Sequence, residues 1–191
     1  MSSFKVIKGS SVDQEVDAIV NAANKFLASG SGVCGEIFKR AGYFELNEAC
    51  KKIKTPLHDG DAVITESFNI TNCKYIIHAV GPNFMLTPNA FNELFNAYYN
   101  SLLVLKESNL HSISFPLISS GIFGGNLENP ARNSAEQCEK AYNKFISEYK
   151  NYEVNIILCA YSDNEYNNIV KNNISWYIKI GGRYVWKRLV W

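Results

Sequence analysis

Hydrophobic positions along this chain fall into two alternating patterns. Asp17-Ala18-Ile19-Val20-Asn21 is a nearly unbroken apolar run, as expected of a strand covered on both faces. Phe4–Lys8 alternates instead, which predicts an edge strand. Asp61–Thr65, Lys74–Val80, Ser112–Ile118 and Val154–Ala160 are further strand-like runs. Between them lie helical stripes. Val33–Ala41 and Phe44–Ile53 flank Gly42. Asn89–Glu107 carries Phe91, Leu94, Phe95, Tyr98, Leu102 and Leu105 on one face behind a Thr87-Pro88 start. Pro130–Tyr149 has proline in its first turn, where the missing N–H costs nothing, and Asp163–Asn173 predicts a short last helix. Strands alternating with helices predict an α/β fold of three layers, a sheet with helices on both faces. The end of the chain departs from this pattern. Trp176–Trp186 reads as two alternating strands around Gly181-Gly182, a hairpin signal. The expectation is one domain over 1–174 and a hairpin extension over 175–191 packed on it. A competing reading makes Trp176, Trp186 and Trp191 the anchors of a partner or oligomer surface.

Composition narrows the function classes. At 191 residues the chain suits one domain with a full core. A net charge of +1 excludes a global polyanion binder but leaves room for a local phosphate site. No apolar run reaches the length of a membrane span, and the first ten residues lack a signal-peptide core. The five cysteines (Cys34, Cys50, Cys73, Cys138, Cys159) are odd in number and form no C-x-x-C pair. That predicts a reducing, cytoplasmic setting and argues against structural zinc. No metal and no cofactor are expected. Lys179, Arg183, Lys187 and Arg188 lie among aromatics in the tail, but a solvated hairpin face explains them better than nucleic-acid binding.

The candidate chemistry begins where the central strand ends. Val16-Asp17-Ala18-Ile19-Val20-Asn21-Ala22-Ala23-Asn24 stops in two small residues bracketed by asparagines. Ser29-Gly30-Ser31-Gly32-Val33-Cys34-Gly35 follows, and then a helix. Glycine lets backbone approach an anion, and a helix N-terminus offers free N–H groups with a positive dipole end. Farther on come Tyr75-Ile76-Ile77-His78-Ala79-Val80-Gly81-Pro82 and Phe115-Pro116-Leu117-Ile118-Ser119-Ser120-Gly121-Ile122-Phe123-Gly124-Gly125. Together these segments resemble the macrodomains, ADP-ribose-binding modules, from about Phe4 to about Val170. The two loop motifs in combination are specific.

The resemblance implies a mixed central sheet and assigns roles. Asn24 would contact the distal ribose and position a catalytic water, while Asn21 braces the loop. Amides near Ala22, Gly32, Val33 and Cys34 would hold the diphosphate and distal ribose. Ser119, Ser120, Gly121, Ile122 and Phe123 would grip the other side of the diphosphate, with Phe123 against the distal ribose. Tyr161 would stack on adenine, and Ser10 and Ser11 would lie at the base. Asn24, Cys34 and Phe123 are the catalytic candidates. His78 lies in a strand and reads as a satisfied structural histidine.

Two positions depart from the family pattern. Ser10 stands where the family has an aspartate that accepts from the adenine amino group. A neutral acceptor gives a bond about half as strong, and Asp13 is the nearest carboxylate that could substitute. Cys34 stands where the efficient hydrolases have aspartate. A thiol with an ordinary pKa of ~8.5 is a poor base near neutrality. Two functions follow. The first is an enzyme that removes mono-ADP-ribose from acidic side chains, or deacetylates O-acetyl-ADP-ribose, through a water positioned at the distal ribose. The second is a non-catalytic reader of ADP-ribose or a related nucleotide signal. ADP-ribose or an ADP-ribosylated protein is the expected partner.

Overall fold

A computed structural model describes residues 1–170 in full and, of the tail, the backbone of strands Trp176–Ile180 and Arg183–Lys187. Six strands form the main sheet: β1 (Ser3–Lys8), β2 (Ala18–Ala23), β3 (Ala62–Glu66), β4 (Tyr75–Val80), β5 (Ser112–Pro116) and β6 (Asn155–Ala160). Their order is β1-β6-β5-β2-β4-β3, and only β3 runs antiparallel to its neighbour, so the sheet is mixed. Five helices accompany it: α1 (Gly32–Ala41), α2 (Tyr43–Lys51), α3 (Phe91–Glu107), α4 (Pro130–Glu148) and α5 (Asp163–Val170).

The central run over β2 explains the layers. Successive side chains of a strand point to opposite faces. Ala18 and Val20 pack with Tyr98 and Leu102 of α3 and Ala135 and Phe145 of α4. Ile19 and Ala23 pack with Ile37 and Phe38 of α1 and Leu46 of α2. Each of the larger of these, Val20, Ile19, Leu102, Phe145, Ile37, Phe38 and Leu46, contributes about 1.5–3 kcal/mol when fully buried. Helix α1 buries Cys34, Ile37, Phe38 and Ala41, the i, i+3, i+4, i+7 stripe of an amphipathic helix. It ends at Gly42, whose φ of +96° turns the chain sharply into α2. That φ is one L side chains rarely adopt, which is why glycine stands there.

Asp17 fastens the root of the sheet. Its Oδ2 accepts from the His111 and Ser112 amides, both at 2.9 Å, and from the Ser112 hydroxyl at 2.8 Å. Its carbonyl accepts from the Lys74 and Tyr75 amides. One residue thus ties β2 to the starts of β4 and β5. Burial would raise its pKa, but these hydrogen bonds and Lys74 outweigh it and hold the carboxyl below its ordinary value.

Several expected boundaries shift. The strand expected to begin at Asp17 runs Ala18–Ala23 and takes in the Ala22-Ala23 pair. Thr87-Pro88 does not start α3, which begins at Phe91. Thr87 closes a turn instead, donating both its amide and its hydroxyl to the Asn83 carbonyl. The strand expected to reach Ile118 stops at Pro116, and the Ile118 amide turns to the Tyr98 hydroxyl. Helix α5 ends at Val170, and the remainder of the expected Asp163–Asn173 helix lies outside the described residues. The tail strands pair antiparallel, with Trp176 opposite Lys187 and Tyr177 opposite Trp186. The packing of that hairpin, and a surface built on Trp176, Trp186 and Trp191, lie outside the described residues.

Candidate functional site

Strand β2 has unequal neighbours. It pairs with β4 through all six residues, from Ala18 opposite Tyr75 to Ala23 opposite Val80. It pairs with β5 only at Ala18 opposite Ile113 and Ile19 opposite Ser114. Beyond Ile19 the two strands part toward their carboxyl ends, the usual ligand position in open α/β sheets. A short 3-10 turn, Ser11–Asp13, packs there. Ser114 turns its hydroxyl to the Ser11 carbonyl at 2.7 Å, and Val12 is fully buried. The opening above is a cleft of about 880 Å³.

Every residue singled out from sequence as a ligand contact lines this cleft: Ser10, Ser11, Ala22, Asn24, Gly32, Val33, Cys34, Ser119, Ser120, Gly121, Ile122, Phe123 and Tyr161. Their side chains are another matter. The Ser10 hydroxyl caps the 3-10 turn, accepting from the Val12 amide at 3.3 Å. The Ser119 hydroxyl donates to the Pro82 carbonyl and that of Ser120 to the Leu117 carbonyl, both at 2.8 Å. Ser119 has a φ of +56°, which a non-glycine residue holds only when its surroundings impose it. These serine hydroxyls are thus spent within the protein, and what their residues offer the cleft is backbone.

The first loop ends in the N-terminus of α1. Gly32, Val33 and Cys34 carry amides with no intrahelical carbonyl, and the N-cap Ser31 makes no side-chain cap. The second loop passes through a 3-10 turn, Ile122–Gly124, in which the amides of Gly121, Ile122 and Phe123 donate to no protein group among the described residues. A Cβ at Gly32 or Gly121 would meet nothing within 4 Å. Two sets of unmet N–H groups therefore border one open space, the arrangement that holds a diphosphate.

Asn24 stabilises its own loop. Its Oδ1 accepts from the Phe26 and Ala28 amides, both at 3.1 Å, and its Nδ2 donates to the Ala28 carbonyl at 2.6 Å. Both lone pairs of the oxygen are used, so one N–H remains for the cleft. Cys34 is similarly engaged. Its thiol lies 3.8 Å from the Ala28 carbonyl and receives the Gly30 amide and the Asn21 side chain. Burial raises the thiol pKa, and those two donors offset it only in part, so the group is neutral near pH 7.

Asn21, expected to brace the loop, is buried, and its side-chain amide bonds across the sheet instead. Its Nδ2 donates to His78 Nδ1 at 3.1 Å, which leaves the proton on Nε2 to donate to Thr65 Oγ1 at 2.9 Å. Burial pushes the His78 pKa down to about 4, so the ring is neutral. This row crosses from β2 through β4 to β3.

The end of the cleft at the 3-10 turn holds Asp13, the carboxylate named from sequence as a substitute for the missing aspartate, and with it Arg40, Glu36 and Glu165, which sequence reading did not assign. Arg40 reaches Asp13 and Glu36 at 2.6 Å each, and all three line the cleft, as does Glu165. Glu36 and Arg40 are an i, i+4 pair and readable as such. Asp13 is 27 positions from Arg40, and nothing local announces the contact. Tyr161 stands at this end with most of its surface exposed.

The family model of the Macro domain matches residues 20–133. A protein of Fusobacterium nucleatum is 51% identical over 110 residues, covering 57% of this chain and 61% of that protein. The ADP-ribose glycohydrolase MACROD1 of Mus musculus is 34% identical over 164 residues, covering 85% of this chain and 49% of that protein. The chain thus spans less than two thirds of the first of these relatives and about half of the second. The solved macrodomain of Oceanobacillus iheyensis with ADP superposes with a TM-score of 0.78 at 32% identity, over 89% of each chain.

Proposed function

The chain belongs to the macrodomain family, and from that premise we propose that it binds ADP-ribose in the cleft and hydrolyses mono-ADP-ribose from acidic side chains. One observation carries the reading: the unmet amides of Gly32, Val33 and Cys34 face the same space as those of Gly121, Ile122 and Phe123. A diphosphate between them satisfies both sets, with Tyr161 left for the base and Asn24 and Phe123 for the distal ribose. The similarity to a glycohydrolase at 34% identity supports the reaction type. The five free cysteines support a reducing, cytoplasmic setting.

Hydrolysis needs a water at the anomeric carbon of the distal ribose. The remaining N–H of Asn24 donates to that water or to a ribose hydroxyl. Water adds to the carbon, and the carboxylate leaves with the electrons of the broken C–O bond. The proton lost by water needs an acceptor. Asn24 has no free lone pair and Cys34 is a neutral thiol, so an oxygen of the substrate's own diphosphate takes it. A missing protein base typically costs about 10²–10⁴ in rate, which makes this a slow hydrolase.

The same two residues favour a second reading, a reader that retains ADP-ribose without cleaving it. An assay on an immobilised protein mono-ADP-ribosylated on glutamate separates the two. Released label supports the hydrolase, retention of this chain without release supports the reader, and neither outcome removes ADP-ribose as the ligand. The informative variant is Asn24→Ala, which deletes the donor to the water without adding a charge beside the diphosphate, and also removes the bonds to Phe26 and Ala28. Release should fall at least tenfold, and calorimetry on free ADP-ribose separates that loss from any loss of binding. Cys34→Asp should raise turnover, and no gain there would leave proton transfer to the substrate.

A further inference from the structure

We propose that the apolar lip formed by Met85, Leu86 and Ile122 docks the polypeptide to which the ADP-ribosyl group is attached. This rests on the functional reading above and adds to it a surface outside the nucleotide cleft that reads the modified protein itself. Two turns meet at the lip. The Phe84 amide donates to the Phe123 carbonyl at 2.9 Å, which fastens the segment after β4 to the second loop. Met85 then lies over the bare backbone of Gly125, where a Cβ would come within 3.0 Å of its Cγ.

Exposure and composition set this lip apart. Met85 is 64% exposed, Leu86 79% and Ile122 76%, although Phe84 between them and the core is buried against Phe91. No Asp, Glu, Lys or Arg occurs from Tyr75 to Asn92 or from Ser112 to Leu127. Single exposed apolar residues are ordinary, but contiguous ones in a charge-free stretch have the composition of an interface core.

Continuity with the cleft identifies the occupant. Ile122 and Phe123 line the cleft, and Phe123 belongs to the distal-ribose end of the proposed binding mode. Met85 and Leu86 do not line it, so the apolar surface runs out of the cleft and over its edge. A nucleotide confined to the cleft ends before them. A ligand that emerges at the distal ribose and continues past the edge covers them, and a modified side chain with its flanking backbone does so. An uncharged lip also accepts an acidic side chain's neighbours without selecting a charged sequence.

The test compares the wild-type chain with Met85→Ser/Leu86→Ser on two substrates. Free ADP-ribose affinity is measured by calorimetry, and release or retention is measured on protein mono-ADP-ribosylated on glutamate. The double variant should bind ADP-ribose with unchanged Kd, which also shows that it folds. Its efficiency or affinity on the modified protein should fall roughly tenfold. Equal performance on the modified protein overturns the docking role. An equal loss on both substrates also overturns it, by making the lip part of the nucleotide pocket. If the wild-type chain binds no ADP-ribose at all, the functional reading fails first and the lip proposal falls with it.

Discussion

The two flanks of β2 differ in one respect that decides where chemistry can occur. Toward β4 the strand is paired along its whole length, and Asn21, His78 and Thr65 extend the tie through side chains to β3. Toward β5 the pairing stops after Ile19. The sequence of β2 is the same for both neighbours, so the difference comes from what each partner brings. β4 presents Tyr75–Val80 in register, whereas β5 turns the Ser114 hydroxyl toward the Ser11 carbonyl of an inserted turn. A paired flank has no backbone groups to offer. The parted flank leaves two loops whose N–H groups await an acceptor from outside the protein.

The sharpest way to break this contrast is to supply an acceptor from within. Ser31 is the N-cap of α1, has extended backbone and makes no side-chain cap. Ser31→Asp places a carboxylate at that helix N-terminus, where it should add about 0.5–1 kcal/mol of stability. The same charge repels a diphosphate in the adjoining cleft, and ADP-ribose affinity should fall roughly a hundredfold. Denaturation and calorimetry on one preparation would show the opposite signs. A variant that binds as well as wild type would mean the α1 terminus does not hold the phosphates.

On the paired flank the outcome should reverse. Asn21→Ala strips the buried His78 ring of its donor and should cost about 1–3 kcal/mol in urea denaturation. A change below 0.5 kcal/mol would show that the Asn21–His78–Thr65 row is not what secures this side.

The smallest effect belongs to the root, where both flanks are joined. Asp17→Asn keeps an acceptor but loses its charge and should cost about 1 kcal/mol near neutrality. Because the folded-state pKa of Asp17 lies below its ordinary 3.8, its stabilisation is complete above that value. It disappears as pH falls through the lower folded-state pKa. The gap between wild type and variant should therefore begin to narrow below about pH 4 and close only below the folded-state pKa of Asp17. A gap that persists unchanged at pH 3 would exclude the carboxylate as its source.

How much of this was legible beforehand depends on the range of the interaction. The α/β layering followed from periodicity alone, because alternation and 3.6-residue stripes are local signals that survive into the structure. The meeting of Asn24, Gly32 and Gly121 in one cleft was legible through two loop motifs taken together. The use made of the side chains was not. Asn24 bonding Phe26 and Ala28, or Ser119 bonding Pro82, depends on loop conformations that no spacing rule specifies. Asp13 meeting Arg40 depends on how α1 leans over the 3-10 turn. The parting of β2 from β5 was invisible for the same reason, since β5 reads as an ordinary strand until Ser11 is set beside it. The boundary at Thr87-Pro88 failed because a proline suits a turn as readily as a helix start.

The pairing of β1 with β6 has a consequence for how the molecule is made. β1 lies at the sheet's edge with β6 as its one neighbour, and Ser3 meets Asn155 across 152 positions of sequence. As the chain leaves the ribosome, β2, β4 and β5 can already assemble while β1 still has no partner. At ~5–20 residues per second the roughly 40 residues from the end of β5 to the start of β6 take about 2–8 seconds to appear. Throughout that interval, β1 is unpaired and β5 keeps one edge open. β6 closes both vacancies at once, and until then the nascent chain depends on whatever shields two exposed strand edges from each other and from their neighbours.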